Sequence, residues 1–232
     1  MEILNDFRKL FGQPLKLLNR RSKYDSYIKK QFRKLFGKPL KLLNRHSNYD
    51  SYIKKQKEKT LDPKRIEKWL SDEWDVKLDG FRKLFERNSD YVSKATNCVC
   101  LGARTGQEVA ALRELGKKAI GVDLVEFAPY TKQGDIHKLE HQNNEFDFVF
   151  TNIFDHSLFP DKFISEMERV CAKGGYIIVN LQLHILGDDY SENITNDPKE
   201  VIKLFNISSV EKSYKIKNQF DGMNWELVMR KD

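Results

Sequence analysis

Cysteine is scarce in this 232-residue chain, which has only Cys98, Cys100 and Cys171. Three cannot close an even disulfide framework and none stands in a Cys-x-x-Cys pair, so neither a disulfide scaffold nor a metal site is expected of them. They read as small buried hydrophobes. Long apolar runs are missing as well. The longest, Tyr176 to Leu186, is interrupted by Asn180, Gln182 and His184 and falls short of the ~20 residues that span a bilayer. It reads as a buried strand. The N-terminus, MEILNDFRKL, lacks the ~7–15-residue apolar segment of a secretory signal. An intracellular, cytoplasmic chain is expected, with an organelle address left open. The sequons Asn193-Ile-Thr195 and Asn206-Ile-Ser208 would matter only in a secreted protein.

What is present is enough apolar surface for an ordinary core: 40% hydrophobic residues, with 15 Phe and 9 Tyr, against 32% charged. The net charge of +7 hides a division. Residues 1–60 hold 17 Lys and Arg against 5 Asp and Glu, whereas the rest of the chain is net acidic.

The basic part is a near-perfect tandem repeat. FRKLFGQPLKLLNRRSKYDSYIKKQ (Phe7 to Gln31) is followed at once by FRKLFGKPLKLLNRHSNYDSYIKKQ (Phe32 to Gln56), and only Gln13/Lys38, Arg21/His46 and Lys23/Asn48 differ. A shortened echo, FRKLFERNSDYV, begins at Phe81. Two full units are too few for a stacked solenoid. Short basic amphipathic helices are expected, interrupted at Gly12 and Pro14. Residues 1–60 therefore read as an extension, either without a partner or able to contact anionic membrane or RNA. Asp62-Pro63 then opens a helix with Ile66, Trp69 and Leu70 on one face. A second helix is expected from Gly80 to about Tyr91, with Phe81, Leu84 and Phe85 inward. Residues 61–95 would form a helical cap over a sheet.

From residue 96 to 232 short β-rich runs alternate with helical patterns, which predicts an α/β domain with a parallel sheet. The runs are Cys98 to Gly102, Ala119 to Leu124, Phe146 to Asn152 and Tyr176 to His184, with helices at Gln107 to Leu115 and Asp161 to Ala172. After a polar loop, a helix from Asn196 to about Phe205 and two further runs, Val210 to Ile216 and Trp225 to Met229, read as a closing antiparallel hairpin. Such sheets bind ligands beyond the carboxyl ends of their strands.

The loop after the first run, Gly102-Ala103-Arg104-Thr105-Gly106, leads into a helix whose free N–H groups can meet an anion. Asp123, about 20 residues on at the end of the second strand, is placed to accept from two ribose hydroxyls. The G-x-G-x-x-G spacing of a pyrophosphate site is absent. Asp135, in Gly134-Asp135-Ile136, can accept from an adenine amino group while Ile136 packs on the ring; the alternative is a surface turn acid. His156 has Asp155 beside it, and either serves as a base with Asp155 orienting it or hydrogen-bonds within its loop. His137 and His141 read as ordinary loop residues.

The stretch CVCLGARTGQEVAALRELGKKAIGVDL, with GDIHKLEHQNNEFDFVFTNIFDHSLFPDKFISEMERVCAKGGYIIVN after it, resembles the class I S-adenosylmethionine-dependent methyltransferase superfamily. It looks most like type-11-like proteins of a plant group with a GARxGQEV loop, over roughly residues 80–232. The resemblance implies a Rossmann-like, mostly parallel seven-stranded sheet with a C-terminal antiparallel hairpin, and S-adenosylmethionine as cofactor. It implies a small-molecule or side-chain methyl acceptor. Carried over by position, Gly102, Ala103 and Gly106 would line the methionine part, Asp123 the ribose, and Asp135 and Ile136 the adenine; Arg104 either meets the methionine carboxylate or points away, and Leu124 is among the cofactor-binding residues. Asn152 would lie near the sulfonium, with His156 and Asp155 facing the methyl. The chain departs from the superfamily pattern at Cys100, where an acid is usual, and at Arg104, where a glycine is usual. The missing acid removes one anchor for the methionine amine and leaves a catalytically degenerate binding module as the alternative.

Overall fold

Runs as apolar as CVCL and FDFVFT form strands only where both faces are covered, because no polar side is left for water. In the computed structural model, which describes residues 40–217 and 222–232, they become β2 (Asn97–Leu101) and β5 (Phe146–Thr151), flanked by β3 (Lys118–Asp123) and β6 (Cys171–Leu181). The remaining strands are β1 (Lys41–Leu42), β4 (Thr131–Gln133), β7 (Asn193–Ile194), β8 (Ser208–Lys215) and β9 (Trp225–Lys231). Seven of them form one sheet in the order β4-β3-β2-β5-β6-β9-β8. Pairings from β4 to β6 are parallel, and β9 pairs antiparallel with both β6 and β8. The expected seven-stranded sheet with its closing hairpin is the one observed; β4 was not among the runs read from sequence. Strand order reverses between β2 and β5, so the crevice beyond their carboxyl ends is the natural ligand site.

Side-chain alternation splits the core into two layers. On one face Val99, Leu101, Val149, Ile177 and Val179 meet α6 (Pro160–Val170) through Phe163, Ile164 and Met167. On the other, Cys98, Cys100, Phe148 and Phe150 meet α3 (Trp74–Arg87) and α5 (Gln107–Glu114). All three cysteines are free and buried, as small hydrophobes would be. The FRKLF echo supplies the inner face of α3: Phe81, Leu84 and Phe85 are at most 3% exposed, and Phe85 meets the edges of Phe148 and Phe150. Asp62 caps α2 (Pro63–Leu70) by accepting from the Lys64 and Arg65 amides, as the Asp-Pro signal predicts. The short α4 (Ser89–Val92) and α7 (Pro198–Ile202) complete the helices among the described residues. None of the helices among the described residues is long and apolar enough to cross a membrane.

The boundary expected at residue 60 is corrected. The described residues from 40 onward belong to one compact unit, and the end of the second repeat is part of it. Lys41 and Leu42 pair antiparallel with Ile194 and Asn193. Asn48 and Ser51 form a reciprocal capping box that starts α1 (Tyr49–Leu61). The His46 ring nitrogen Nε2 lies 2.7 Å from the buried Glu192 carboxylate. This segment folds onto the sheet domain because its tyrosines, His46 and Gln56 find polar partners there, not because it carries an apolar stripe. The first repeat, residues 7–31, and the start of the second lie outside the described residues, as does most of the segment expected to meet membrane or RNA.

Candidate active site

The bend after β2 is built by backbone conformation and one carboxylate. Gly102 and Gly106 have φ of +77° and +88°, in the left-handed region. A Cβ at either would also come within 2.2 Å of a neighbour, Ile153 Cγ1 and Tyr130 Cβ respectively. Arg104, at φ +46°, donates its backbone N–H to Asp123 Oδ2 at 2.9 Å. The acid at the end of β3 and the bend after β2 are therefore in direct contact, as the nucleoside reading requires. Burial holds the Asp123 carboxyl above its usual range, opposed by the Arg104, Val125 and Leu124 amides. The Arg104 guanidinium lies over the Trp69 ring, 4.2 Å from its centroid, and Gln107 Nε2 donates to the Trp69 carbonyl at 3.1 Å. Residues expected to form a helical cap thus cover the far side of the bend.

Toward β4 the cleft is narrow. Asp123, Leu124, Asp135 and Ile136 line a cavity of about 60 Å³ with Tyr52 and Gln56 of α1, little more than the volume of two waters. Asp135 already has partners: the Tyr49 hydroxyl donates to Oδ2 at 2.6 Å, and the His137 amide donates to Oδ1 at 2.8 Å. Burial would raise the Asp135 carboxyl, but His137 and Tyr49 bring it down to about 2. His137 is no idle loop residue. Its Nε2 lies 2.9 Å from Ser157 Oγ and its Nδ1 2.9 Å from the Tyr49 hydroxyl. The Tyr52 hydroxyl donates to the His156 carbonyl at 3.0 Å.

Toward α2 and α3 the cleft opens into a cavity of about 460 Å³. Gly102, Ala103, Arg104, Asn152, Asp155 and His156 all border it, so both ends share the bend. The 3-10 turn Phe154–His156 places His156 Nδ1 2.9 Å from the Tyr190 carbonyl and Nε2 3.3 Å from Lys59 Nζ. Asp155 does not orient this ring. Its Oδ2 lies 3.9 Å from Nδ1, beyond hydrogen-bond reach, and accepts from Ser191 Oγ at 2.9 Å. Adjacent residues in one turn point apart, and the Tyr190 carbonyl takes the orienting place.

Lys59 was missed by sequence reading. Burial lowers its ammonium to about 8, against the opposing pull of Asp188, whose Oδ2 lies 3.8 Å away. Its Nζ also lies 4.6 Å from the Tyr190 ring centroid. No residue pattern marks it out among the many lysines of residues 1–60. Tyr49 and Tyr52 were missed for the same reason.

Residues 99–179, from β2 to near the end of β6, match the methyltransferase domain family. Comparison with curated proteins gives no match. Among solved structures, a Burkholderia thailandensis 1,6-didemethyltoxoflavin-N1-methyltransferase, with its substrate and S-adenosylhomocysteine bound, superposes with a TM-score of 0.62 at 12% identity, over 83% of this chain and 94% of that one. An S-adenosylmethionine-dependent methyltransferase from Archaeoglobus fulgidus gives 0.55 at 13% identity, over 70% and 99%. A Pyrococcus horikoshii protein gives 0.54 at 18% identity, over 66% and 91%. With the reversal of strand order at β2 and β5 and the antiparallel β9, these likenesses establish that the chain has the class I methyltransferase fold.

Proposed function

We propose that the protein is an S-adenosylmethionine-dependent methyltransferase that acts on a small molecule or an exposed side chain. The observation that carries this reading is the 2.9 Å contact between the Gly102–Gly106 bend and Asp123, inside the stretch that matches the methyltransferase domain family.

The donor set fits the cofactor. Asp123 offers a carboxylate to a ribose diol, Asp135 accepts from an exocyclic amine, Ile136 gives an apolar face, and the bend leaves backbone open to an amino-acid tail. One element must yield: Tyr49 and Tyr52 now occupy the space and the partners that an adenine would use, so α1 has to shift for the nucleoside to seat. The bound cofactor supplies an electrophilic methyl group on a sulfonium. Much of the rate in such an in-line displacement comes from positioning, which the rigid strand ends and Asn152 provide.

His156 Nε2 is the acceptor for a proton leaving an oxygen or nitrogen nucleophile. Its ring is held by the Tyr190 carbonyl, which leaves Nε2 as the lone-pair nitrogen of the neutral ring. Lys59 competes for that lone pair, and its lowered ammonium lets it carry the proton onward as pH approaches 8. In this scheme Asp155 shapes the neighbouring loop through Ser191.

The test is calorimetry with S-adenosylmethionine and S-adenosylhomocysteine, followed by product detection across amine, hydroxyl and thiol acceptors. Binding of both ligands with turnover on one acceptor class is expected, and His156→Ala should cut turnover ~10²–10⁴-fold. A folded protein that binds neither ligand ends the reading. Binding without turnover favours the degenerate module, which the neutral, fully enclosed thiol of Cys100 at the usual acid position speaks for.

A further inference from the structure

Glu108 stands one residue into α5 and is 4% exposed. It borders the open end of the cleft beside Gly102, Ala103, Arg104 and Gln107. Among the described residues no cation lies within 4 Å of its carboxylate, and no side chain donates to it; its own backbone N–H is the donor it has. A buried carboxylate of this kind is costly unless something completes it. Nothing in the proposed transfer has so far used it.

We propose that Glu108 is the receptor for the primary ammonium of the cofactor's methionine tail, a binding role which the resemblance would have given to an acid at Cys100. This rests on the cofactor reading above. Two observations place the tail here. The bend that would hold it, Gly102 to Arg104, borders the same cavity as Glu108. Cys100 is unable to serve, since its thiol is enclosed and burial drives it well above its usual range, away from a thiolate. A carboxylate from the first turn of α5 reaches the same end of the cleft from the side, so the acid has moved from strand to helix.

The charge logic agrees. Burial raises Glu108 to about 8, against its own amide, Arg104 and Lys77, and with Asp123 adding to the rise. Lys77 of α3 is itself paired with Glu73 at 3.0 Å, and Arg104 lies over Trp69, so neither closes on Glu108. At pH 7 the carboxyl by itself is therefore largely protonated. Arrival of an ammonium makes the ionised form the favoured one, and the displaced proton passes to the buffer.

Calorimetry on the full chain tests this with three ligands: S-adenosylhomocysteine, its desamino analogue, and 5′-deoxy-5′-methylthioadenosine, which has no amino-acid tail. The wild type should bind S-adenosylhomocysteine about 10–100-fold more tightly than the desamino analogue, the range for a charged hydrogen bond. Glu108→Gln should remove that preference while leaving affinity for methylthioadenosine unchanged. The wild type alone gives a second readout. Titrations at pH 7 in two buffers of different ionisation enthalpy should show close to one proton released with S-adenosylhomocysteine and none with methylthioadenosine. A wild type that binds methylthioadenosine but does not discriminate the amine, or releases no extra proton, overturns the assignment alone. Failure to bind any of the three overturns the cofactor reading and this assignment with it.

Discussion

The two ends of the cleft share one bend and follow opposite plans. At the end toward β4 polar groups are paired within the protein: Asp135 takes the Tyr49 hydroxyl, and Tyr52 reaches the His156 carbonyl. At the end toward α2 and α3 the space is several times larger, and among the described residues no ion pair reaches Glu108. Ligand binding at the first end exchanges internal contacts for external ones. Binding at the second would add a partner to a carboxylate whose one donor is its own backbone N–H. On the proposed reading, affinity for a nucleoside would be limited by the hold of α1, and affinity for a charged tail by the chemistry of the tail itself.

The largest way to break this contrast is Tyr52→Ala. Removing a ring that is 3% exposed should cost about 3–5 kcal/mol of stability, read as a lower urea midpoint. An unchanged midpoint would mean that α1 is not seated as described. Next, Asp123→Ala should weaken S-adenosylhomocysteine binding by about 1–3 kcal/mol, because it removes both the diol acceptor and the carboxylate that holds the Arg104 amide.

Tyr49→Phe sharpens the contrast further. Losing one hydrogen bond to Asp135 should lower stability by about 1 kcal/mol. It should at the same time strengthen binding of methylthioadenosine, since Asp135 Oδ2 is released for the adenine amine. A loss of affinity instead would show that Tyr49 serves the ligand rather than competing with it.

The remaining effect is in acid. The Asp135 carboxyl falls from the usual 3.8 to about 2 in the folded protein. A lowered folded value means stability that is present above pH 4 and lost as pH drops from about 4 toward 2. Denaturant midpoints measured across that range should fall less steeply for Asp135→Asn than for the wild type.

The sheet could be read from sequence because its information is local. Four apolar runs, the Asp62-Pro63 cap and the acid about 20 residues past a glycine turn each depend on neighbours along the chain. The hold of α1 on the cleft could not be read. His46 meets Glu192 across 146 positions, and Gln56 meets the Tyr190 carbonyl across 134. The buried face of α1 is made of Tyr52, Gln56, Lys59 and Thr60, which shows no apolar stripe. Asp155 and His156 illustrate a different limit. Adjacency in sequence suggested a working pair, but a 3-10 turn gives each side chain its own partner.

The segment that starts α1, YDSYIKKQ, is written twice in this chain, ending at Gln31 and again at Gln56. Unequal exchange between the two copies would delete one whole unit and still leave a tyrosine-bearing cover joined in frame to Lys57 and the rest of the domain. The spare copy repeats both tyrosines but has Arg21 and Lys23 where the seated copy has His46 on Glu192 and Asn48 as the cap of α1, so the two units are interchangeable in length and not in grip.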